Sequence, residues 1–292
     1  MIEDVYYQKD FPDPIFESEF VLDLVRPFVP GAKKVMSVDE TGGEARTYAI
    51  DDDIILKVQR PQQLRLSTSL EKEVFFLKQL EQYDKSINVP RVLGHAKEGT
   101  LEYTIMTRIP GKAARYFDIT EKQRESLYLE LGKTLRKIHN IDKTAFVESG
   151  LFPDIDTPSD MRARLNFRFN RVLGWRLNAG RIAESDIAEA NELAAPILEK
   201  VPATEIIAPV HANPGFEHVF VSDDGSFSGL IDFGDAYLSH PICDFRSTPV
   251  RDRALLLAGY KSEAEVSDNF KAIWNAAYEL DSIIDVLCNR QR

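Results

Sequence analysis

Cysteine is nearly absent from this chain: Cys243 and Cys288 are the only two in 292 residues. That is too few for a disulfide framework, and neither has metal-ligand spacing around it, so both are expected as reduced, buried thiols. Long apolar runs are missing as well. Nothing approaches the roughly 20 residues that a membrane-spanning helix needs, and the opening Met1-Ile2-Glu3-Asp4 lacks the basic stretch and apolar run of a secretory signal. The expectation is a cytoplasmic protein with no membrane partner. Positive charge is in deficit, with 36 Lys and Arg against 47 Asp and Glu and a net charge of −11. This balance argues against a nucleic-acid partner, because neutralising phosphates requires concentrated lysine and arginine. Repeats and low-complexity segments are also lacking.

What is present reads as an ordinary globular chain, 43% hydrophobic and 28% charged, and long enough for two packed lobes. Phe16, Phe20, Val21, Leu24 and Val25 fall at helical spacing within 14–28, and Pro30-Gly31 stops that pattern. Residues 33–59 change to short β-branched and aromatic segments, broken at Thr41-Gly42-Gly43 and Asp51-Asp52-Asp53, which predicts three antiparallel strands. A helix over 66–83 follows, carrying Leu66, Leu70, Val74, Leu77 and Leu80 on one face. Two further strands, Val89–Gly94 and Leu101–Met106, complete a five-stranded antiparallel sheet with one main helix. Pro110-Gly111 then marks a lobe boundary. The second half is mainly helical at 121–140, 159–178, 184–199 and beyond 250, with short apolar runs at 206–210, 219–221 and 227–231. The fold class is α+β and bilobed, with residues 1–107 as one lobe and 108–292 as the other.

Two motifs stand out, His211-Ala212-Asn213-Pro214-Gly215-Phe216-Glu217-His218 and Leu230-Ile231-Asp232-Phe233-Gly234-Asp235. Their spacing resembles the aminoglycoside phosphotransferase and choline kinase superfamily, of protein-kinase-like fold. In that family the catalytic loop runs His-x-Asp, four residues, then Asn, and an Ile-Asp-[Trp/Phe] metal motif follows one hairpin later. Val89-Pro90, and His240-Pro241 with Asp244, extend the resemblance over about residues 33 to 260. It implies an ATP (or GTP) site between the lobes, Mg2+, and transfer of a phosphoryl group to the hydroxyl of a small-molecule acceptor. The oligomeric state, monomer or homodimer, stays open.

Moving a γ-phosphoryl group requires positive charge on the phosphates, a metal held by oxygen ligands and a positioned hydroxyl. Lys57 interrupts the apolar strand Ile54-Ile55-Leu56-Lys57-Val58 where the resemblance places a phosphate-binding lysine, and Glu73 on the next helix could pair with it. Taken singly, each could equally be a solvated surface residue. Gly42 and Gly43 let a backbone approach phosphates closely, or simply turn a hairpin. Met106 and Arg108 match the adenine-contacting hinge by position. Asp232, after an apolar strand, suits a metal ion, and Asp235 assists it or caps the next element.

Two positions depart from the family pattern. Asn213 stands where the resemblance implies a catalytic aspartate, and a neutral amide cannot accept a proton, although it can orient a hydroxyl. His218 stands where it implies a metal-binding asparagine, and imidazole is a poorer ligand for hard Mg2+ than an amide oxygen. Glu217, His211 and His218 are the other candidate bases on the loop. His211 and Asp244 are expected to brace the loop, and His139 to pack. A positioned general base contributes on the order of 10² to 10⁴ in rate, so a slow kinase and a noncatalytic nucleotide-binding pseudokinase both remain. For the acceptor, Glu279, Asp281 and Asp285 offer carboxylates to amines. Arg162, Arg164, Arg168, Arg171, Arg176 and Arg181 form a basic run in which Arg164, Arg168 and Arg171 could share a face and hold an anion.

Overall fold

The computed structural model describes residues 12–60, 70–99, 101–152, 160–203, 207–246 and 248–290. The segment Met1-Ile2-Glu3-Asp4 and the residues Leu66, Ser159 and Ile206 of the expected elements lie outside this set. Strands β1 (Val35–Asp39), β2 (Ala45–Ile50), β3 (Ile54–Gln59), β4 (Val92–Glu98) and β5 (Leu101–Thr107) form one antiparallel sheet in the order β1-β2-β3-β5-β4. β4 starts at Val92 rather than Val89, because Pro90 has no N–H to give to a ladder and Val89 is buried in the core.

Helix α1 (Ser18–Val25) covers one face of the sheet, where Val21, Leu22 and Val25 meet Tyr48, Ile50, Leu56, Val58 and Ile105 in a small core. Side chains alternate across a strand. With Leu56 and Val58 in that core, Lys57 therefore emerges on the opposite face, toward the rest of the molecule.

The second and larger core draws on both halves of the chain. Helix α2 (Leu70–Tyr83) contributes Phe76, Leu77 and Leu80, and α3 (Glu121–His139) contributes Leu127, Leu131, Leu135 and Ile138. Phe76 lies against Phe146 of α4 (Thr144–Ser149), Phe152 and Phe233, with ring centroids 5.0, 5.9 and 4.9 Å away. One helix that precedes residue 108 is thus anchored in the apolar packing of residues that follow it, and this fixes Glu73 relative to the second motif.

Helices α5 (Met161–Asn178), α6 (Glu184–Glu199), α7 (Arg253–Glu263) and α8 (Asp268–Arg290) complete the helical region. Among them lie short strands: β6 (Lys112–Ala113), β8 (Val219–Val221) and β9 (Phe227–Leu230) pair together, and β7 (Ala208–Val210) pairs with β10 (Tyr237–Ser239). β6 and β10 carry no periodicity of their own and exist only through these partners. A 3-10 helix follows at Pro241–Phe245. Cys243 is buried and Cys288 half-buried, both as free thiols. No helix among the described residues is long and apolar enough to cross a membrane.

Helices α3 and α7 approach so closely that a Cβ at Gly259 would run into Leu129 O, and one at Gly132 into Leu256 O. Alanine exceeds glycine in helix propensity by about 1 kcal/mol, so Gly259→Ala at an open position would stabilise the protein. The backbone contact instead predicts a net loss of about 1–3 kcal/mol, read as a lower urea midpoint at unchanged slope; a gain in stability would refute the close approach.

Candidate functional site

Lys57 reaches from β3 to carboxylates on two different elements. Its Nζ donates to Glu73 Oε2 of α2 at 2.9 Å and to Asp232 Oδ1 at 2.7 Å. Glu73, 1% exposed, also accepts the Phe233 N–H through Oε1 at 3.1 Å. Burial works against the Lys57 ammonium, but the charges of Asp232 and Glu73 outweigh it and raise the pKa above the ordinary lysine value. Burial likewise works against the Asp232 carboxylate, and the Lys57 ammonium holds it well below the usual range. Both groups are therefore ionised at neutral pH, and the Asp232 side chain remains 40% exposed to solvent.

The backbone that presents Asp232 is strained. Asp232 has φ +70° and Ala212 φ +78°, a left-handed conformation that costs a non-glycine residue roughly 1–2 kcal/mol. Neighbouring groups hold each of them. Phe233, wholly buried, packs on Phe76 and on the His211 ring at 4.6 Å, while its N–H is tied to Glu73. Asp244 accepts the His211 and Ala212 N–H groups at 2.8 and 2.7 Å and is itself held by His139 Nε2 at 2.9 Å. His139 also contacts Tyr260 Oη through Nδ1 at 3.1 Å.

His211 lies beneath the loop with both ring nitrogens engaged. Its Nε2 meets Ile231 O at 2.8 Å, and since a carbonyl only accepts, that nitrogen carries the proton. Nδ1 then accepts the Asn213 N–H at 3.2 Å. By the same logic His218 Nδ1 donates to Asn213 O at 2.8 Å, which turns Nε2 toward Asp232 Oδ2 at 3.4 Å. Lys57, Glu73, Asp232, His218, Asn213 and His211 thus form one connected cluster, and Asn213 is exposed at its edge.

The remaining candidates stand apart from the cluster. Glu217 is exposed and pairs with Arg115 at 3.4 Å. Gly42 and Gly43 occupy the β1–β2 connection, where a Cβ at Gly42 would meet Ala45 O at 2.6 Å while Gly43 faces open space. Met106 is buried in β5, and Arg108 is exposed just beyond it with its N–H given to Asp53 O at 2.7 Å. Asp235 is exposed.

The profile of the phosphotransferase enzyme family matches residues 36–282. The chain belongs to this family. No protein of curated function matches the sequence. Similar solved structures include the GDP and kanamycin complex of APH(2")-IIia, at 15% identity and TM-score 0.63 over 90% of this chain and 89% of that one. A streptomycin-ATP-APH(2")-IIa ternary complex shares 19% identity at TM-score 0.56, covering 93% and 91%. A macrolide 2'-phosphotransferase type I shares 17% at TM-score 0.59, covering 93% and 91%. At such identities the likeness is one of fold, the bilobed kinase-like fold of the family.

Within the family fold, the site holds a residue that periodicity hides. Lys72 precedes Glu73 in a run that reads as a solvated helix face, yet it is 4% exposed, with Nζ 5.8 Å over the Phe152 ring. Burial pushes its pKa down to about 8, against the charges of Asp235 and Glu44. It feels acids from the loop after β9 and from the β1–β2 connection, Asp235 and Glu44, and only the tertiary structure brings those together.

Behind the loop, His240 is 1% exposed and accepts the Ile242 N–H at 3.1 Å through Nδ1. Burial, with the charges of His139 and Arg164, lowers its pKa from 6.5 to about 3. Such a ring takes up its proton only on unfolding, so its contribution is complete above about pH 6.5 and is lost as pH falls from there toward 3. Burial lowers the His211 pKa in the same direction. The carboxylates lose their share only below about pH 4. Unfolding free energy should therefore fall between pH 7 and 5 by up to about 1.4 kcal/mol per pH unit for each of these rings. His240→Asn keeps an acceptor for the Ile242 N–H, and denaturant titrations at several pH values should show a shallower slope; an unchanged slope would remove His240 from this role.

Proposed function

We propose that the protein is a nucleotide-dependent phosphotransferase that moves the γ-phosphoryl group of ATP or GTP to a hydroxyl of a small molecule. In this assignment residues 1–107 form the nucleotide lobe, and residues 108–292 carry the catalytic loop and the acceptor site. The observation that carries it is the Lys57 bridge to Glu73 and Asp232 across 16 and 175 residues of chain. A fold needing only stability would have little cause to hold a cation between two carboxylates beside open cleft. A triphosphate entering there would take over part of the Lys57 charge. The similar structures bound to GDP and to ATP support the nucleotide class.

Among the described residues no group of three or more His, Cys, Asp or Glu could hold a metal by itself. The donors do fit a cation that takes most of its ligands from phosphates and water, the usual mode of Mg2+ in nucleotide sites. Asp232 would supply a carboxylate oxygen, and His218 an imidazole nitrogen whose tautomer is already set by Asn213 O. Bound there, the cation would neutralise charge on the phosphates. A nitrogen donor favours Mn2+ over Mg2+. Asn213 would orient the acceptor hydroxyl without taking its proton, so the reaction relies on positioning and charge neutralisation.

A second reading, nucleotide binding without transfer, is favoured by the engagement of both His211 nitrogens and the pairing of Glu217 with Arg115. In this reading neither side chain serves as the missing base.

Thermal-shift titration is expected to show stabilisation by ATP or GTP with Mn2+ exceeding that with Mg2+, with Asp232→Ala abolishing both and His218→Asn reversing the metal order. Absence of any nucleotide effect would overturn the nucleotide assignment. Coupled assay of nucleoside diphosphate release separates the two readings. Slow turnover that Asn213→Asp raises by about 10² or more supports transfer, whereas binding without turnover in both proteins supports the second reading.

A further inference from the structure

The basic run of α5 does not behave as a single surface. Its core stripe is Met161, Leu165, Phe169 and Leu173. Arg164, Arg168 and Arg171 share an adjacent face at helical spacing and are half-buried beside it. Arg162 instead turns to Glu199 O and Val201 O, and Arg176 and Arg181 are exposed.

Two small, partly open hollows adjoin this stripe, and Arg168 and Arg246 line both. Arg253 of α7, 8% exposed, lines the first. The carboxylate that meets these guanidinium groups is Asp281 of α8, which Arg253 holds at 2.5 Å and Arg168 touches only at 3.4 Å. Arg246 is bonded to neutral acceptors, Cys243 O at 2.9 Å and Tyr237 Oη at 3.0 Å. Burial lowers the Arg168 pKa; Asp281 opposes this, while the nearby charges of Arg246 and Arg253 add to it. Arg253 and Arg168 therefore share the Asp281 carboxylate, while Arg246 has the charge of Asp244 nearby. Arg168, which reaches Asp281 only at 3.4 Å, is the incompletely compensated group, and partly buried charge of that kind is costly unless an opposite charge joins it.

The other carboxylates that could attract an amine are not in place. Asp281 is already neutralised, while Glu279 and Asp285 are exposed and line neither cavity. The chain as a whole carries −11, so this pocket is locally positive within a negative protein.

Its position connects it to the cluster described above. The 3-10 helix Pro241–Phe245 grips the His211 and Ala212 amides through Asp244 and lines the cavities through Ile242 and Cys243. Tyr237, on the cavity wall, pairs with Val210, the residue before His211.

We propose that this pocket selects an acidic acceptor, a hydroxyl compound bearing a phosphate or carboxylate held by Arg168 and Arg246, in place of a polycationic aminoglycoside. The inference rests on the phosphotransferase assignment and adds the substrate class. Planar guanidinium groups bind either oxyanion bidentately. In the reaction the acceptor hydroxyl oxygen bonds to the γ-phosphorus of the nucleoside triphosphate while the bond from that phosphorus to the β–γ bridging oxygen breaks. The nucleoside diphosphate leaves, and the hydroxyl proton passes to solvent.

Calorimetric titration of the full chain with a panel of sugar phosphates, hydroxycarboxylic acids and kanamycin, with and without Mn-nucleotide, tests this. The expected result is saturable binding of one acidic class, weakening as ionic strength rises, with kanamycin not binding. Arg168→Gln and, independently, Arg246→Gln should each weaken that binding by about 10- to 100-fold while leaving the nucleotide-induced thermal shift intact. The two acid classes identify the oxyanion. Tighter binding of kanamycin than of every acid, or equal binding of inorganic phosphate and hydroxylated phosphates, would overturn the proposal. Acid binding that depends on the arginines in a protein that nucleotides do not stabilise would sink the phosphotransferase assignment and leave an anion site. A nucleotide shift with no acid bound would sink the acceptor proposal alone.

Discussion

The contact between Lys57 and Asp232 is the constraint around which the rest of the molecule is arranged. It joins a strand of the five-stranded sheet to a loop 175 residues later, at 2.7 Å. Lys57, with its side chain 17% exposed, could not sit there alone without a desolvation cost. Glu73 completes the network from a third element, and its second oxygen holds the Phe233 N–H. Charge, backbone and core are thereby coupled: the residue after Asp232 anchors the loop in an aromatic cluster that also contains Phe76 of the Glu73 helix.

The strained backbone at Ala212 and Asp232 makes sense against that anchoring. Ala212 and Asp232 both lie in the left-handed region; the buried acid Asp244 accepts the Ala212 N–H, and Glu73 accepts the N–H of Phe233, the residue after Asp232. The geometry of the loop is over-determined. Such rigidity suits a site that works by positioning and neutralising charge, where little covalent chemistry is asked of the protein. In the proposed reading, Asn213 stands where the resemblance implies a proton-accepting aspartate, and this frame is kept without that base. The His218 ring, with its tautomer set by Asn213 O, offers a nitrogen toward the same carboxylate.

Much of this was legible in the sequence. The alternation of β3 places Lys57 opposite the small core, and the spacing from His211 to Asp235 carried the family resemblance. The five strands and the main helices follow from period and turn residues. Other features were not legible. β6 and β10 are two and three residues long and exist through pairing alone. Lys72 looks like half of a charged helix face until the Phe152 ring and the loop acids close around it. The α2 helix reads as part of the sheet layer, yet its aromatic side packs with residues beyond 110. Helical spacing already groups Arg164, Arg168 and Arg171 of α5, but only the tertiary structure sets Arg168 beside Arg246, Arg253 and Asp281.

The sequence by itself determined which segments form the five-stranded sheet and the main helices, which residue types occupy the loop positions, and that Asn213 and His218 break the family pattern. Each of those properties depends on near neighbours in the chain. The tertiary structure decided which charges meet, which are left in excess and which histidines are kept neutral. Electrostatic free energy depends on distance and solvent exclusion among groups that the chain brings together from opposite ends, and local periodicity carries no record of either.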